Sequence, residues 1–254
     1  MRILSRCIRS PLIFILFAII LGGCAQDKAL IKKQAQAKQD LGKSLLADGN
    51  YAASLNELLE AVQLDPENPE IHNDLALTYR EMRMYTQAIS HFDKAIELRP
   101  DYSEAYNNLG TVYLILADWN RAISCFKKAL TNSVYATPHF AYNNLGLAYY
   151  EKGQFRLAVE AYLKAVQANP SFSRAFHNLG IAYEALGEWN KALEAYEESI
   201  RHAPDDPRSY FRLGKLYLRL NKLSLAVENL EETIRLDKRG TVAPEAKRLL
   251  ERIQ

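Results

Sequence analysis

From about residue 35 onward, apolar side chains return every three or four positions, the spacing of one face of a helix, and the pattern then copies itself. The segments Asn73–Tyr79, Asn107–Tyr113, Asn143–Tyr149, His177–Tyr183 and Phe211–Tyr217 are variants of one phrase. Their leucines, Leu75, Leu109, Leu145, Leu179 and Leu213, are separated by 34, 36, 34 and 34 residues. Pro66, Pro100, Pro170 and Pro204 keep the same beat, and a weaker copy begins near Ala35 with Leu41, Gly42, Ser54, Ala61 and Pro66 in register. The periodicity divides the chain into six units, at about 35–68, 69–102, 103–138, 139–172, 173–206 and 207–240.

Each unit predicts two helices joined by a short turn. The position after the leucine is Gly42, Ala76, Gly110, Gly146, Gly180 or Gly214, and the second helix carries Ser54, Ala88, Ala122, Ala158, Ala192 or Ala226. A helical glycine costs about 1 kcal/mol relative to alanine, so its recurrence requires a packing reason. The expectation is that small residues on facing helices oppose one another and let the axes approach to about 8 Å. Tyr51, Tyr85, Trp119, Phe155, Trp189 and Leu223 open the second helices, in a fixed register that favours turn packing over ligand stacking. The prolines close them. Two extra residues between Leu109 and Leu145, within 131–146, predict a longer turn between the third and fourth units. Lys238 stands where the last proline is expected, and 241–254, with Pro244 near its start, predicts a capping helix.

This pattern resembles the tetratricopeptide repeat. The resemblance implies an all-α, right-handed α-solenoid of six helix-turn-helix repeats closed by a C-terminal capping helix. It also implies a partner-binding groove lined by the first helices, at Asn73, Leu77, Asn107, Thr111, Leu114, Asn143, Leu147, Tyr150, His177 and Ile181. Leu77, Leu147 and Ile181 put apolar groups on that face, which suits a hydrophobic partner segment or contact with the neighbouring helix.

The beginning of the chain has a different character. Arg2, Arg6 and Arg9 precede the apolar run Leu12–Leu21, which is too short to span a bilayer and has the length of a signal-peptide core. Leu21-Gly22-Gly23-Cys24 follows and resembles a bacterial lipobox, so residues 1–23 are expected to be a removed leader, Cys24 the acylated residue and 24–34 a tether. Several acyl chains hold a protein on a membrane where one holds it marginally. Ala25 after the cysteine implies the outer membrane by the sorting rule of such lipoproteins. The formal charge of +2 is a property of this leader, since without its three arginines the remainder is close to −1. Net charge therefore gives a nucleic-acid partner no support. Of three cysteines only Cys125 lies within the repeats, so the fold is expected to rest on packing and not on disulfides.

No catalytic set emerges. Leu41–Ser44 ends like a phosphate loop, but Ala37 stands where its first glycine belongs and no strand precedes it. His72, His91, His139, His177 and His202 lack zinc-ligand spacing, and acidic pairs such as Glu197-Glu198 and Glu231-Glu232 fit solvated helix faces. The expectation is a non-enzymatic protein with no cofactor, no metal and no small-molecule substrate. Arg208, Arg212, Lys215, Arg219 and Lys222 step by four, three, four and three along one side of the sixth unit, a basic stripe suited to an acidic segment or anionic headgroups and equally to solvent.

The leader, the six repeats and the lengthened junction around 135–155 together resemble the type IV pilus biogenesis lipoproteins of the PilF, PilW and Tgl type. By that resemblance the chain is a pilotin: a lipid-anchored periplasmic protein that binds the pilus secretin subunit and assists its assembly or localisation at the outer membrane. The alternative is a general repeat scaffold that recruits other envelope-assembly or peptidoglycan-remodelling proteins.

Overall fold

In the computed structural model of the chain, residues 11–253 are described, with side chains from residue 28 onward. Residues 1–10 and 254, and the side chains of 11–27 with Cys24 among them, lie outside the described residues. The described backbone consists of thirteen α-helices and the turns between them. They are α1 (Pro11–Ala47), α2 (Tyr51–Leu64), α3 (Pro69–Glu81), α4 (Tyr85–Leu98), α5 (Ser103–Ile115), α6 (Trp119–Ala129) and α7 (Pro138–Glu151). After them come α8 (Phe155–Ala168), α9 (Ser173–Leu186), α10 (Trp189–His202), α11 (Pro207–Arg219), α12 (Leu223–Leu236) and α13 (Ala243–Glu251). Among the described residues no helix is long and apolar enough to cross a membrane.

The helices fall into two compact units, Met1–Pro100 and Asp101–Gln254. In the first, α1 packs on α2 and α3 on α4, with α2 against α3. Ala35, Leu58, Ala61, Ile71 and Leu75 form a buried cluster there. The segment 24–34, expected to be a tether, is helical and continuous with the rest of α1. In the second unit α5/α6, α7/α8, α9/α10 and α11/α12 are the packed pairs, each set against the next, and α13 covers α12. Its cores include Ala158, Tyr162 and Leu179 in one place and Ala192, Tyr196, Leu213 and Leu216 in another. Both units have the solenoid-like helical-repeat form.

Local chemistry sets the helix ends. Tyr51, Tyr85, Trp119, Phe155, Trp189 and Leu223 are each the first residue of a second helix. Pro69, Pro138, Pro207 and Pro244 sit in first turns, where the missing N–H costs no intrahelical bond. Asn68, Asp118 and Asp206 accept backbone N–H bonds as N-caps. Lys238 stands where a proline was expected after α12, and Asp237 beside it accepts from the N–H groups of Val242 and Ala243 at 2.6 and 2.7 Å, fastening α13. The lengthened junction also shortens the helix before it: α6 has 11 residues where the other second helices have 14. Tyr135 fills the gap against Ala129 and Ala141, and Val134 turns outward at 82% exposure.

The small-residue rows pack differently from the expectation. A Cβ added at Gly110, Gly146 or Gly180 would lie 2.4–2.5 Å from the ring of Phe126, Tyr162 or Tyr196. At Gly42 and Gly214 the occupants are Leu58 and Leu230. The glycine is thus a hole for the large side chain sixteen residues later, and the alanine row is not its main counterpart. The alanine-row position lies beside the glycine backbone: Ser54 Oγ donates to the Gly42 carbonyl at 2.8 Å, and the Ala226 carbonyl oxygen is 3.4 Å from a Cβ built on Gly214.

Candidate functional site: the face of the first helices

In the second unit α5 and α7, and then α7 and α9, lie side by side. Buried side chains point away from this face, leaving four positions per helix along it. They are Glu104, Asn108, Thr111 and Ile115 on α5; Phe140, Asn144, Leu147 and Glu151 on α7; Arg174, Asn178, Ile181 and Ala185 on α9; and Arg208, Arg212, Lys215 and Arg219 on α11.

The predicted asparagines are engaged with one another. Asn144 donates its Nδ2 to Asn107 Oδ1 at 3.1 Å, and Asn178 donates to Asn143 Oδ1 at 2.9 Å. In the first unit Gln39, at the same repeat position as Asn107 and Asn143, donates to Asp74 Oδ2 at 2.6 Å. Asn73 donates weakly to Asp74 at 3.5 Å. Burial raises the pKa of Asp74, and the bond from Gln39 opposes that rise. Within each unit a side-chain ladder therefore links neighbouring first helices, built from the second polar position of one repeat and the first of the repeat before. Sequence reading grouped Asn73, Asn107 and Asn143 with the groove, and the doublets Asn107-Asn108 and Asn143-Asn144 were the available signal for the ladder.

His177 is buried as well, and its Nδ1 lies 2.8 Å from Ser209 Oγ. Ser209 donates to Ser199, which donates to the Ser173 carbonyl, so Nδ1 of His177 carries the hydrogen. Burial first, then the charges of Arg208 and Arg212, lower its pKa to about 4. The accessible part of the predicted groove is what remains: Leu77 in the first unit and Thr111, Leu114, Leu147, Tyr150 and Ile181 in the second, all half-buried. Ile115 and Phe140, outside the predicted set, add 54% and 42% exposed apolar side chains to the same face.

The basic stripe is divided among several partners. Arg208 folds back on Asp206, Lys215 reaches Glu245 at 3.0 Å and Arg212 stands 3.9 Å from Glu184. Arg219 lies 4.0 Å over the ring of Trp189, and Lys222 lies over Tyr217. Elsewhere, His72 and His91 meet through their Nδ1 atoms at 3.1 Å, a contact that sequence spacing did not suggest. His72 Nε2 donates to the Pro66 carbonyl, which leaves His91 as the donor in the pair. Among the described residues no group of three or more potential metal ligands occurs. Cys125 is half-buried on α6.

A tetratricopeptide-repeat family model matches residues 67–133 and 171–239, and a second repeat model matches 42–82 and 146–187. The structure superimposes on PilF of Pseudomonas aeruginosa with a TM-score of 0.76 at 18% identity, covering 86% of this chain and 99% of that one. PilW, described as a widely conserved type IV pilus biogenesis factor, gives a TM-score of 0.76 at 22% identity, covering 85% and 98%. MamA gives 0.56 at 28% identity over 68% of this chain and 93% of that one. No curated protein sequence matches the chain.

Proposed function

Since the chain belongs to the tetratricopeptide-repeat family, we propose that it is a protein-binding adaptor of type IV pilus biogenesis, a pilotin anchored in the outer membrane through acylated Cys24. The observation that carries this reading is the likeness to PilF over 86% of this chain and 99% of that one, joined to a leader whose end and the cysteine after it read Leu21-Gly22-Gly23-Cys24. Partner binding falls to the half-buried apolar pair Leu147 and Ile181 with the neighbouring Ile115 and Phe140. Desolvating such side chains favours association by about 25 cal/mol for each Å² buried. The occupant is a segment of the pilus secretin, and the adaptor is a scaffold and not an enzyme. Acylation raises the effective concentration of this face at the membrane where secretin rings assemble.

Replacing Cys24 with alanine tests the anchor. The variant is expected to fold, to leave the membrane fraction and to mislocalise secretin multimers. Normal ring assembly in that strain would overturn the anchored-pilotin reading. Capture of the secretin from detergent-solubilised envelopes, lost on replacing Leu147 and Ile181 with serine, tests the groove separately.

A further inference from the structure

The face of the first helices in the second unit changes chemistry abruptly at its end. On α5, α7 and α9 its four positions are amides, apolar groups, the Thr111 hydroxyl and scattered charges: Glu104 on α5, Glu151 on α7 and Arg174 on α9. On α11 all four are cations. The row of second helices trends the other way, from Arg121, Lys127 and Lys128 without an acid on α6 to Glu228, Glu231, Glu232 and a single Arg235 on α12. The second helices thus do not share the positive end that the first-helix face shows.

The ladder identifies where the change occurs. Asn144 and Asn178 each donate to an asparagine on the preceding first helix. The next donor in register is Arg212, and the residue before it in the ladder is His177, whose Nδ1 is committed to Ser209. Arg212 instead stands 3.9 Å from Glu184, an ion-pair distance too long for a hydrogen bond. Lys215 occupies the position that Leu147 and Ile181 hold on α7 and α9, and its pair with Glu245 is largely solvent-exposed. Exposed pairs of this kind contribute about 0–1 kcal/mol and exchange partners readily.

We propose that this face takes a directional segment: apolar side chains against Leu147 and Ile181, and acidic side chains at Arg212 and Lys215. The inference rests on the groove reading above and specifies the partner and its polarity. A planar guanidinium offers carboxylates paired donors, and Lys215 adds a second charge within one turn. The row lies beside half-buried apolar groups, which suits a polypeptide better than a headgroup plane.

The test uses the full chain in detergent and short fluorescent peptides, acetylated and amidated, with an apolar half followed by a glutamate half or its glutamine counterpart. The glutamate peptide is expected to bind about tenfold more tightly at low salt, with the advantage lost at high salt and in Arg212→Gln/Lys215→Gln. A photoreactive group on its acidic end is expected to label 207–222 and not 103–115. Equal binding of the two peptides, or labelling at α5, overturns the directional proposal and leaves the groove reading intact. Binding that ignores Leu147→Ser/Ile181→Ser, or no binding of either peptide, overturns both. Loss of affinity for phosphatidylglycerol vesicles in the double glutamine variant, with peptide binding unchanged, assigns the cations to lipid and overturns the peptide proposal. Circular dichroism of each variant establishes that it folds.

Discussion

The side-chain amide of Asn178 donates to the side-chain oxygen of Asn143 at 2.9 Å, which joins α9 to α7 across a repeat boundary. Asn143 is 4% exposed and Asn178 half-buried, so the acceptor side of this bond is largely shielded from water. Replacing Asn143 with alanine removes the acceptor and leaves the Asn178 amide short of a partner, at a cost of about 1–2 kcal/mol. Denaturant melts of both single variants and the double variant check this. The double is expected to cost less than the sum of the singles.

Gly146 has no room for a methyl group, because a Cβ there would sit 2.5 Å from the Tyr162 ring. Gly146→Ala gains about 1 kcal/mol of helix propensity, and overpacking costs about 1–3 kcal/mol. Net destabilisation is expected. Gly146→Ala/Tyr162→Leu, which imitates the Gly42–Leu58 fit, is expected to recover less than the whole loss, since that pair is also tight.

Ala117 adopts a left-handed backbone, φ 56°, in the turn between α5 and α6, where Gly153 and Gly187 serve the equivalent turns. Alanine pays about 1–2 kcal/mol for this conformation, whereas glycine's penalty is a larger unfolded-state entropy. Ala117→Gly is therefore expected to raise stability by up to about 1 kcal/mol, read as a higher denaturation midpoint with an unchanged slope.

His177 contributes a pH dependence of known sign. Its folded pKa of about 4 lies below the ordinary value of 6.5, so the neutral ring is favoured in the fold. The groups facing it are Arg208, Arg212 and Asp206, with Ser209 and the Tyr196 ring in contact. Its stabilising contribution is complete above pH 6.5 and is lost as pH falls from there toward 4, by up to about 3 kcal/mol. His177→Asn, which supplies the residue found at Asn143, is expected to show a shallower loss across that window in thermal melts.

Asp237 fastens the last helix through the Val242 and Ala243 N–H groups and the Thr241 hydroxyl. These bonds hold its carboxyl well below the usual carboxylate range, so the clasp persists above the ordinary pKa and fails only in strong acid. Asp237→Ala is expected to raise amide exchange throughout α13 and to loosen the cluster of Phe211, Leu230 and Ala246 that it covers.

The helices and their order were legible because each repeat states its own local rules. Aromatic or leucine starts and a first-turn proline act within a turn of where they stand, so Tyr51, Trp119 and Pro244 mark helix starts in the sequence itself. The candidate face was legible only as a list of positions. Whether Asn143 is a ligand or a staple depends on Asn178, thirty-five residues away, and nothing in the local pattern carries that distance. The same limit hid the His72–His91 contact, because its partners lie on different helices at no recurrent spacing.

The sequence by itself determined that the chain builds paired helices with a period of 34, since periodic burial and backbone chemistry are encoded residue by residue. Tertiary packing decided which large side chain fills each glycine, which amides turn to their neighbours, and which groups are left facing outward. Those outcomes depend on the register between helices far apart in the chain, and only the competition for space and hydrogen-bond partners in the folded state fixes that register.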